Sequence, residues 1–430
     1  MLNLNRAYFC IFCLLILSLL IAPSMFSSLD ELSLLALLFL GFLDMLYNKS
    51  WRNYRVFFTA TAVLVFYLIY SLTFVHYNIL KAISMDFITH MKPVIAFGIT
   101  YGLAPKFNMG QKFVIKILFL SICAIGFLLY FTPYFYTALT HEYYLGSIFL
   151  CAAITLLSML EKEDIDSIKK HLVVIVLLLL LGLVNSRSKY YGSMVVIAFM
   201  AFLYRPQIIS KISPRNLFLL ISLVACVIFV SWQKIQFYFI SGMSPENAFD
   251  EETLATFARP VLYISSIAVL TDHFPFGSGF ASFASYCSGV DYNYSSLYYK
   301  YGLNEIWGLS ESFNAFVGDT FYPELAQFGI VGICLFIAAA CWLYRRLKIV
   351  HRKIGIIPFA AGMCILISLG IDAIAAPGMV NSFGEMLFAI LGIILAQVRN
   401  IKGTEAKECL RTPLQGESTI WLLNNELKRI

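Results

Sequence analysis

Charged residues are scarce in this sequence. Only 13% of its 430 residues are Asp, Glu, Lys or Arg, whereas 60% are hydrophobic. A water-soluble domain of this length normally has about 25% charged residues. The composition therefore excludes a soluble protein. It predicts an all-α, polytopic integral membrane protein, because only helices and closed barrels satisfy their backbone groups within a bilayer.

Cysteine pairs with useful spacing are missing as well. The chain has 10 cysteines, but only Cys287 lies in the large polar segment 233–323, so a disulfide within that segment is excluded. Cys10 and Cys13 form a CxxC within an apolar segment, where they are read as lipid- or helix-facing residues, and no Cys/His pair has the spacing of metal ligands. Gly277-Ser-Gly279 alone is too short for a nucleotide-binding loop. We predict that the protein uses no metal and no cofactor.

Long apolar segments dominate what remains. A helix needs about 20 apolar residues to cross a membrane, and the sequence contains about twelve segments of that kind. They lie at 7–27, 31–47, 56–75, 84–104, 113–133, 142–160, 172–186, 190–204, 217–232, 324–343, 354–373 and 382–398. We predict nine spans in 1–232, a large external loop at 233–323, three spans in 324–398 and a cytoplasmic tail at 399–430.

The orientation follows from the positions of Lys and Arg in the short loops. Basic loops stay in the cytoplasm, and here they alternate along the chain, as Arg52, Lys106 and Arg215 illustrate. Both termini are therefore predicted to be cytoplasmic and the 233–323 loop external, with membrane lipids as neighbours. The net charge of +6 is explained by these cytoplasmic loops, so we predict no nucleic-acid partner.

Arg187 lies between two short apolar segments on the predicted external side. Its planar guanidinium matches the oxygens of a phosphate, Lys189 adds a second cation, and the hydroxyls of Ser186 and Ser188 can donate to the same oxygens. The pattern predicts a pyrophosphate-binding site, because a cation at the membrane is costly without a function. The alternative is that these side chains snorkel to lipid phosphates.

Arg259 is the second candidate cation. It precedes Pro260 and an apolar stretch that reads as a helix up to Asp272, so the arginine is predicted at a helix N-terminus, where anions bind favourably. Alternatively, it forms a structural salt bridge with Glu251 or Glu252.

Two further features of the external side remain open. Lys92 lies at the entrance of a predicted span, where it either joins the diphosphate site or snorkels. The external loop is rich in aromatic residues, which suit both sugar rings and the headgroup region of the membrane. These aromatic residues are Tyr286, Tyr292, Tyr294, Tyr298, Tyr299, Tyr301 and Trp307.

Four features together resemble the superfamily of bacterial O-antigen polymerases and O-antigen ligases. These are the multi-span architecture, the Ser186-Arg187-Ser188 string, Arg259 followed by residues 272–280, and residues 319–332 at the entry to a span. The resemblance implies metal-independent glycosyl transfer on the external face of the bacterial inner membrane. The implied donor is a glycan on undecaprenyl diphosphate, and the lipid diphosphate is the leaving group.

The resemblance also implies roles for individual residues. Arg187 and Arg259 would neutralise the diphosphate. A base or hydrogen-bond acceptor for the incoming sugar hydroxyl is expected among Asp272, His273, Glu311 and Asp319. Tyr322, which follows Asp319, is a further candidate substrate contact.

The two branches of the superfamily differ in the glycan acceptor. Sequences that resemble ligases carry a His-Asn pair where this chain has Gly318-Asp319, which favours a polymerase that joins lipid-linked repeat units. A ligase that transfers the polysaccharide to lipid A-core is the alternative. A flippase of lipid-linked sugars is a second alternative, although it would not need so large an external loop. A chain-length regulator and a separate flippase are candidate partners.

Overall fold

The computed structural model describes residues 4–21, 28–160, 165–185, 187–203 and 258–411. All regular elements in these ranges are helices, as predicted. The predicted span at 217–232, the first part of the external loop at 233–257 and the tail from 412 lie outside the described residues.

The helices follow the apolar segments closely. The first half contains α1 (Leu4–Ile21), α2 (Leu29–Asn48), α3 (Arg55–Thr73), α4 (Leu80–Leu103), α5 (Met109–Tyr130), α6 (Phe135–Leu139), α7 (Glu142–Ser158), α8 (Ile165–Leu181) and α9 (Ser188–Leu203). The second half contains α10 (Ala258–Asp272), α11 (Ser296–Lys300), α12 (Phe321–Glu324), α13 (Gly329–Lys353), α14 (Ile356–Asp372) and α15 (Ser382–Arg411). Every predicted span except 217–232 therefore coincides with a helix.

Five of these helical stretches are long and apolar enough to cross a membrane. Three other apolar helices are shorter, and they include α7 and α14. The structure is thus that of a helical membrane protein, and the finer number of about twelve spans stays a prediction.

Helix α4 lies at the centre of the bundle, where it contacts α2, α3 and α15. Glycines allow these helices to approach closely. A Cβ atom on Gly98 would come within 2.8 Å of Phe57, and one on Gly392 within 3.0 Å of Thr100. Small residues at such contacts are typical of helix packing in membranes.

The segment after α10 is fixed to the end of the bundle that we predict to be external. Gly277 has φ 84° and Gly329 has φ 62°, and a Cβ atom on either glycine would clash with the backbone of the other. The hydroxyl of Tyr67 donates to Phe328 O at 2.7 Å and that of Tyr70 to Gly277 O at 3.0 Å. These contacts hold the loop on α3.

A cavity of about 480 Å³ lies at the opposite end of the bundle. Its lining includes Lys106, Met159 and Gln397, which the predicted topology places on the cytoplasmic side. It is therefore separate from the candidate site residues that the sequence predicts.

Candidate functional site

Arg259 is paired with Asp319. Helix α10 begins at Ala258, so the predicted helix is confirmed and the arginine lies in its first turn. Its Nε donates to Asp319 Oδ2 at 2.9 Å, and its Nη2 contacts the same oxygen. The guanidinium also lies 5.3 Å from the centroid of the Phe316 ring. Because the arginine side chain is 32% exposed, an anion can reach it.

Arg187 lies just before α9 and points to the first residues of α7. Its Nη2 is 2.9 Å from His141 Nε2, and its Nε is 3.3 Å from Glu142 Oε2. The side chain is 39% exposed. Ser186 and the side chain of Ser188 lie outside the described residues, so their predicted hydrogen bonds to phosphate stay predictions.

His141 is a component of this site that sequence reasoning missed. Burial and the neighbouring Arg187 lower the pKa of its imidazole from 6.5, and Lys189 lowers it further, whereas Glu142 and Asp319 raise it. The ring is therefore neutral at pH 7.

Lys189 is held between a carboxylate and an aromatic ring. Its Nζ lies 3.5 Å from Asp372 Oδ1 and 3.9 Å from the centroid of the Tyr143 ring. It also donates to Ala375 O at 3.3 Å. Tyr143 in turn donates its hydroxyl to Asp372 Oδ2 at 3.0 Å, so α7, α9 and α14 meet at this lysine.

The short segment after α14 contacts both the helix that carries Lys189 and the helix that carries Arg259. Lys189, two residues after Arg187, donates to Ala375 O. Tyr263, one helical turn after Arg259, donates its hydroxyl to Ile374 O at 2.8 Å. Two adjacent carbonyl groups therefore hold both helices that carry the predicted cations.

Tyr322 lies beside this segment. Its hydroxyl donates to Gly370 O at 3.0 Å, and its backbone N–H donates to Ala373 O at 3.4 Å. The residue is half-buried. Its predicted contact with substrate is compatible with this position and stays a prediction.

The structure does not bring Asp272 and His273 to the arginines. Asp272 lies thirteen positions after Arg259 along α10, so with a rise of about 1.5 Å per residue the two residues are about 20 Å apart. His273 Nε2 is 2.7 Å from the Tyr77 hydroxyl. Asp272 accepts a hydrogen bond from the Tyr301 hydroxyl at 2.8 Å, which lowers the pKa of its carboxyl group.

Glu311 and Lys92 are also placed elsewhere. The exposed Glu311 accepts a hydrogen bond from the Tyr299 hydroxyl at 2.5 Å. Lys92 Nζ lies 3.2 Å from a carboxylate oxygen of Asp30, 3.2 Å from one of Glu31 and 3.7 Å from one of Glu385. The lysine is thus neutralised within the bundle rather than offered to a phosphate.

A second group that the sequence reasoning missed consists of Asp86, His90 and Glu324, which lie together beneath the loop. Asp86 and His90 are four residues apart on α4, which was the available signal. Glu324 comes from a distant part of the chain, so the group is recognisable only in the fold.

Comparison with known protein families gives one match. Residues 172–337 match the model of the O-antigen ligase family. This range includes Arg187, Lys189, Arg259 and Asp319, and thus most of the site. A search of curated proteins found no match.

The matched family covers both O-antigen ligases and O-antigen polymerases, and it consists of glycosyl-transferring enzymes. The match does not distinguish the two branches, and none of these findings favours a flippase. Residues 172–337 are thus similar to the O-antigen ligase and polymerase superfamily, and the apolar helices are those of a membrane protein.

Proposed function

We propose that this protein polymerises undecaprenyl-diphosphate-linked oligosaccharide repeat units into O-antigen or a related surface polysaccharide. The reaction would take place at the periplasmic face of the bacterial inner membrane. The observation that carries the proposal is the cluster of three accessible or partly accessible cations, Arg187, Lys189 and Arg259. We call this group the arginine cluster.

The arginine cluster fits the leaving group of such a reaction. A lipid diphosphate departs readily when cations neutralise its developing charge, and pre-positioned donors supply this stabilisation without reorganisation. Two guanidinium groups can each grip phosphate oxygens with two parallel hydrogen bonds, and the ammonium of Lys189 adds a point charge. Because the chain itself supplies the cations that neutralise the leaving group, we assign no metal ion to the reaction.

Asp319 is the proposed acceptor of the proton. When no lipid-linked donor is bound, the Asp319 carboxylate accepts a hydrogen bond from the guanidinium of Arg259. A bound diphosphate would replace it there and free the carboxylate. The hydroxyl oxygen of the acceptor sugar then attacks the anomeric carbon, its proton passes to Asp319, and the bond from that carbon to the diphosphate oxygen breaks.

The choice of polymerase over ligase rests on Gly318-Asp319, which replaces the His-Asn pair of ligase-like sequences. Ligase activity is the second candidate, because the matched family includes O-antigen ligases. Both reactions use the same type of donor, so the proposed role of the arginine cluster is common to them.

The test is the pattern of surface polysaccharide in cells that lack this gene. The strain is complemented with wild type, Arg187→Ala, Arg259→Ala or the control Lys300→Ala, all at equal membrane abundance. A polymerase predicts core plus a single repeat unit in the deletion strain, with rescue by wild type and Lys300→Ala only. Bare core with long chains retained on the lipid carrier would instead identify a ligase. An unchanged ladder would refute both functions.

A further inference from the structure

Three polar side chains converge beneath the external loop, outside the arginine cluster. Asp86 and His90 lie one turn apart on α4, and Glu324 ends α12. All three residues are buried, and the His90 side chain is only 7% exposed. One ligand atom from each of them lies within 4.8 Å of the others. A polar atom that is buried away from water costs free energy unless it has a hydrogen-bond or ionic partner.

The histidine nitrogen that faces Glu324 has no hydrogen-bond partner. His90 Nδ1 lies 2.9 Å from the Asp86 carbonyl oxygen, to which it donates as N–H. The lone pair of the neutral ring is therefore on Nε2, which is buried without a hydrogen bond. A hydrogen bond from a second residue that fixes the ring in this way is typical of histidines that bind metal.

The distance between the opposed atoms also fits a metal ion. His90 Nε2 and Glu324 Oε1 are 3.5 Å apart, which is longer than a hydrogen bond of about 2.7–3.2 Å. Two ligands at about 2.0–2.1 Å from a tetrahedral ion are about 3.4 Å apart. The gap is thus better matched by a bridging cation than by a shared proton.

Asp86 is held in a fixed orientation by the loop. Its Oδ1 accepts from the Ser285 hydroxyl at 2.6 Å. Its Oδ2 accepts from Ala281 N at 2.6 Å and from Gln327 Nε2 at 3.3 Å. Such outer hydrogen bonds position the carboxylates of metal sites and tune their affinity.

The charge of the group points in the same direction. Within the described ranges, neither Asp86 nor Glu324 forms an ion pair with a lysine or an arginine, and His90 is the basic side chain that lies close to each of them. Phe280 and Phe328 pack edge-on against the imidazole at centroid distances of 5.5 and 5.1 Å. A bound cation would stabilise two buried carboxylates in such surroundings.

We propose that Asp86, His90 and Glu324 bind one divalent transition-metal ion of the Zn²⁺ class. The mixed imidazole and carboxylate ligands suit such an ion. The ion would clamp α4 to the loop segment that carries Ser285 and to α12, which directly follows Asp319. Glu324 faces α4, whereas Tyr322 of the same helix contacts Ala373 at the end of α14. The ion would therefore lie apart from the arginine cluster, and its role would be structural.

The test uses purified full-length protein in detergent, stripped with a chelator and reloaded with Zn²⁺ or Co²⁺. Elemental analysis measures metal per chain, and thermal unfolding measures stability. Wild type and the control His76→Gln, at an exposed histidine, should each retain one ion and unfold at a higher temperature when loaded. His90→Gln and Glu324→Gln should lose that ion and the stabilisation. Wild type without bound metal, or His90→Gln with undiminished metal, would overturn the proposal.

Two milder variants decide the matter if His90→Gln or Glu324→Gln fails to fold. Ser285→Ala keeps all three ligands but removes a hydroxyl that donates to Asp86 and accepts from Cys287 N, so it should weaken metal affinity about 10-fold to 100-fold. His90→Cys should give a thiolate-to-cobalt absorption band that wild type, with its 10 native cysteines, does not show. Unchanged affinity in Ser285→Ala together with no new band in His90→Cys would refute the site.

Discussion

Two ionic clusters near the external end of the bundle differ in charge balance and in access. In the arginine cluster, each cation has one carboxylate partner, namely Glu142, Asp372 or Asp319. In the second cluster, which we call the Lys92 cluster, one lysine faces three carboxylates. These carboxylates belong to Asp30, Glu31 and Glu385.

The comparison shows why position outside the membrane core does not by itself identify a phosphate site. The side chains of Arg187 and Arg259 are 39% and 32% exposed, whereas that of Lys92 is 13% exposed. A diphosphate that approached the Lys92 cluster would meet an excess of negative charge in surroundings of low dielectric constant, which is strongly unfavourable. The Lys92 cluster is therefore expected to stabilise the bundle, and the arginine cluster to bind substrate.

The largest expected effect distinguishes the clusters by stability. Lys92→Met leaves buried carboxylates without their cation, so it should lower the free energy of unfolding by about 3–5 kcal/mol. Chemical unfolding in detergent measures this loss. Adding Glu385→Gln should restore part of the stability, because it removes one uncompensated carboxylate. A Lys92→Met protein with normal stability but no activity would place Lys92 at the reaction site instead.

The next effect should be on catalysis and not on the stability of the fold. Arg259→Ala removes a cation from the leaving group and should lower the rate of polymer formation about 100-fold to 1,000-fold. The rate is measured with purified protein and lipid-linked repeat units. Lys300→Ala serves as the control, because Lys300 pairs with Asp272 at the far end of α10. Equal losses in the two variants would contradict a specific role for Arg259.

A smaller effect tests the geometry of Arg187. Arg187→Lys keeps the positive charge but loses the planar fork, so turnover should fall about tenfold, which corresponds to one charge-assisted hydrogen bond. The same assay should show that Arg187→Gln loses more activity than Arg187→Lys. Full activity in Arg187→Gln would mean that this guanidinium does not contact the diphosphate.

The smallest effect concerns His273, which lies outside both clusters. Burial lowers the pKa of its imidazole from 6.5, and the charge of Lys300 lowers it further. Its contribution to stability is therefore fully present above pH 6.5 and is lost as the pH falls through the lower pKa of the folded state. His273→Gln should show a weaker fall in unfolding temperature between about pH 8 and about pH 5. Identical pH profiles for variant and wild type would exclude this role.

The sequence predicted the helices well, because an apolar segment long enough to cross a bilayer has few alternatives to a helix. The helix that contains Arg259 was recognisable from Pro260, because proline favours the first turn of a helix. The number of spans and the external loop before residue 258 depend on parts of the chain outside the described residues.

The ionic partners could not be predicted, because they come from distant helices. Asp319 lies 60 residues after its partner Arg259, and Lys92 meets residues of α2 and α15. His141 was overlooked although it directly precedes a predicted span on the external side. Asp272 and His273 were grouped with Arg259 through the resemblance to the superfamily, whereas the length of α10 separates them.

The most direct test of the central claim is the binding of undecaprenyl diphosphate to purified protein. We expect that Arg187→Gln and Arg259→Gln each weaken the binding of undecaprenyl diphosphate, while the Lys300→Gln control binds it as tightly as wild type. The three proteins must have the same unfolding temperature. Equal affinity of wild type and both arginine variants for the lipid diphosphate would then show that the arginine cluster does not bind it.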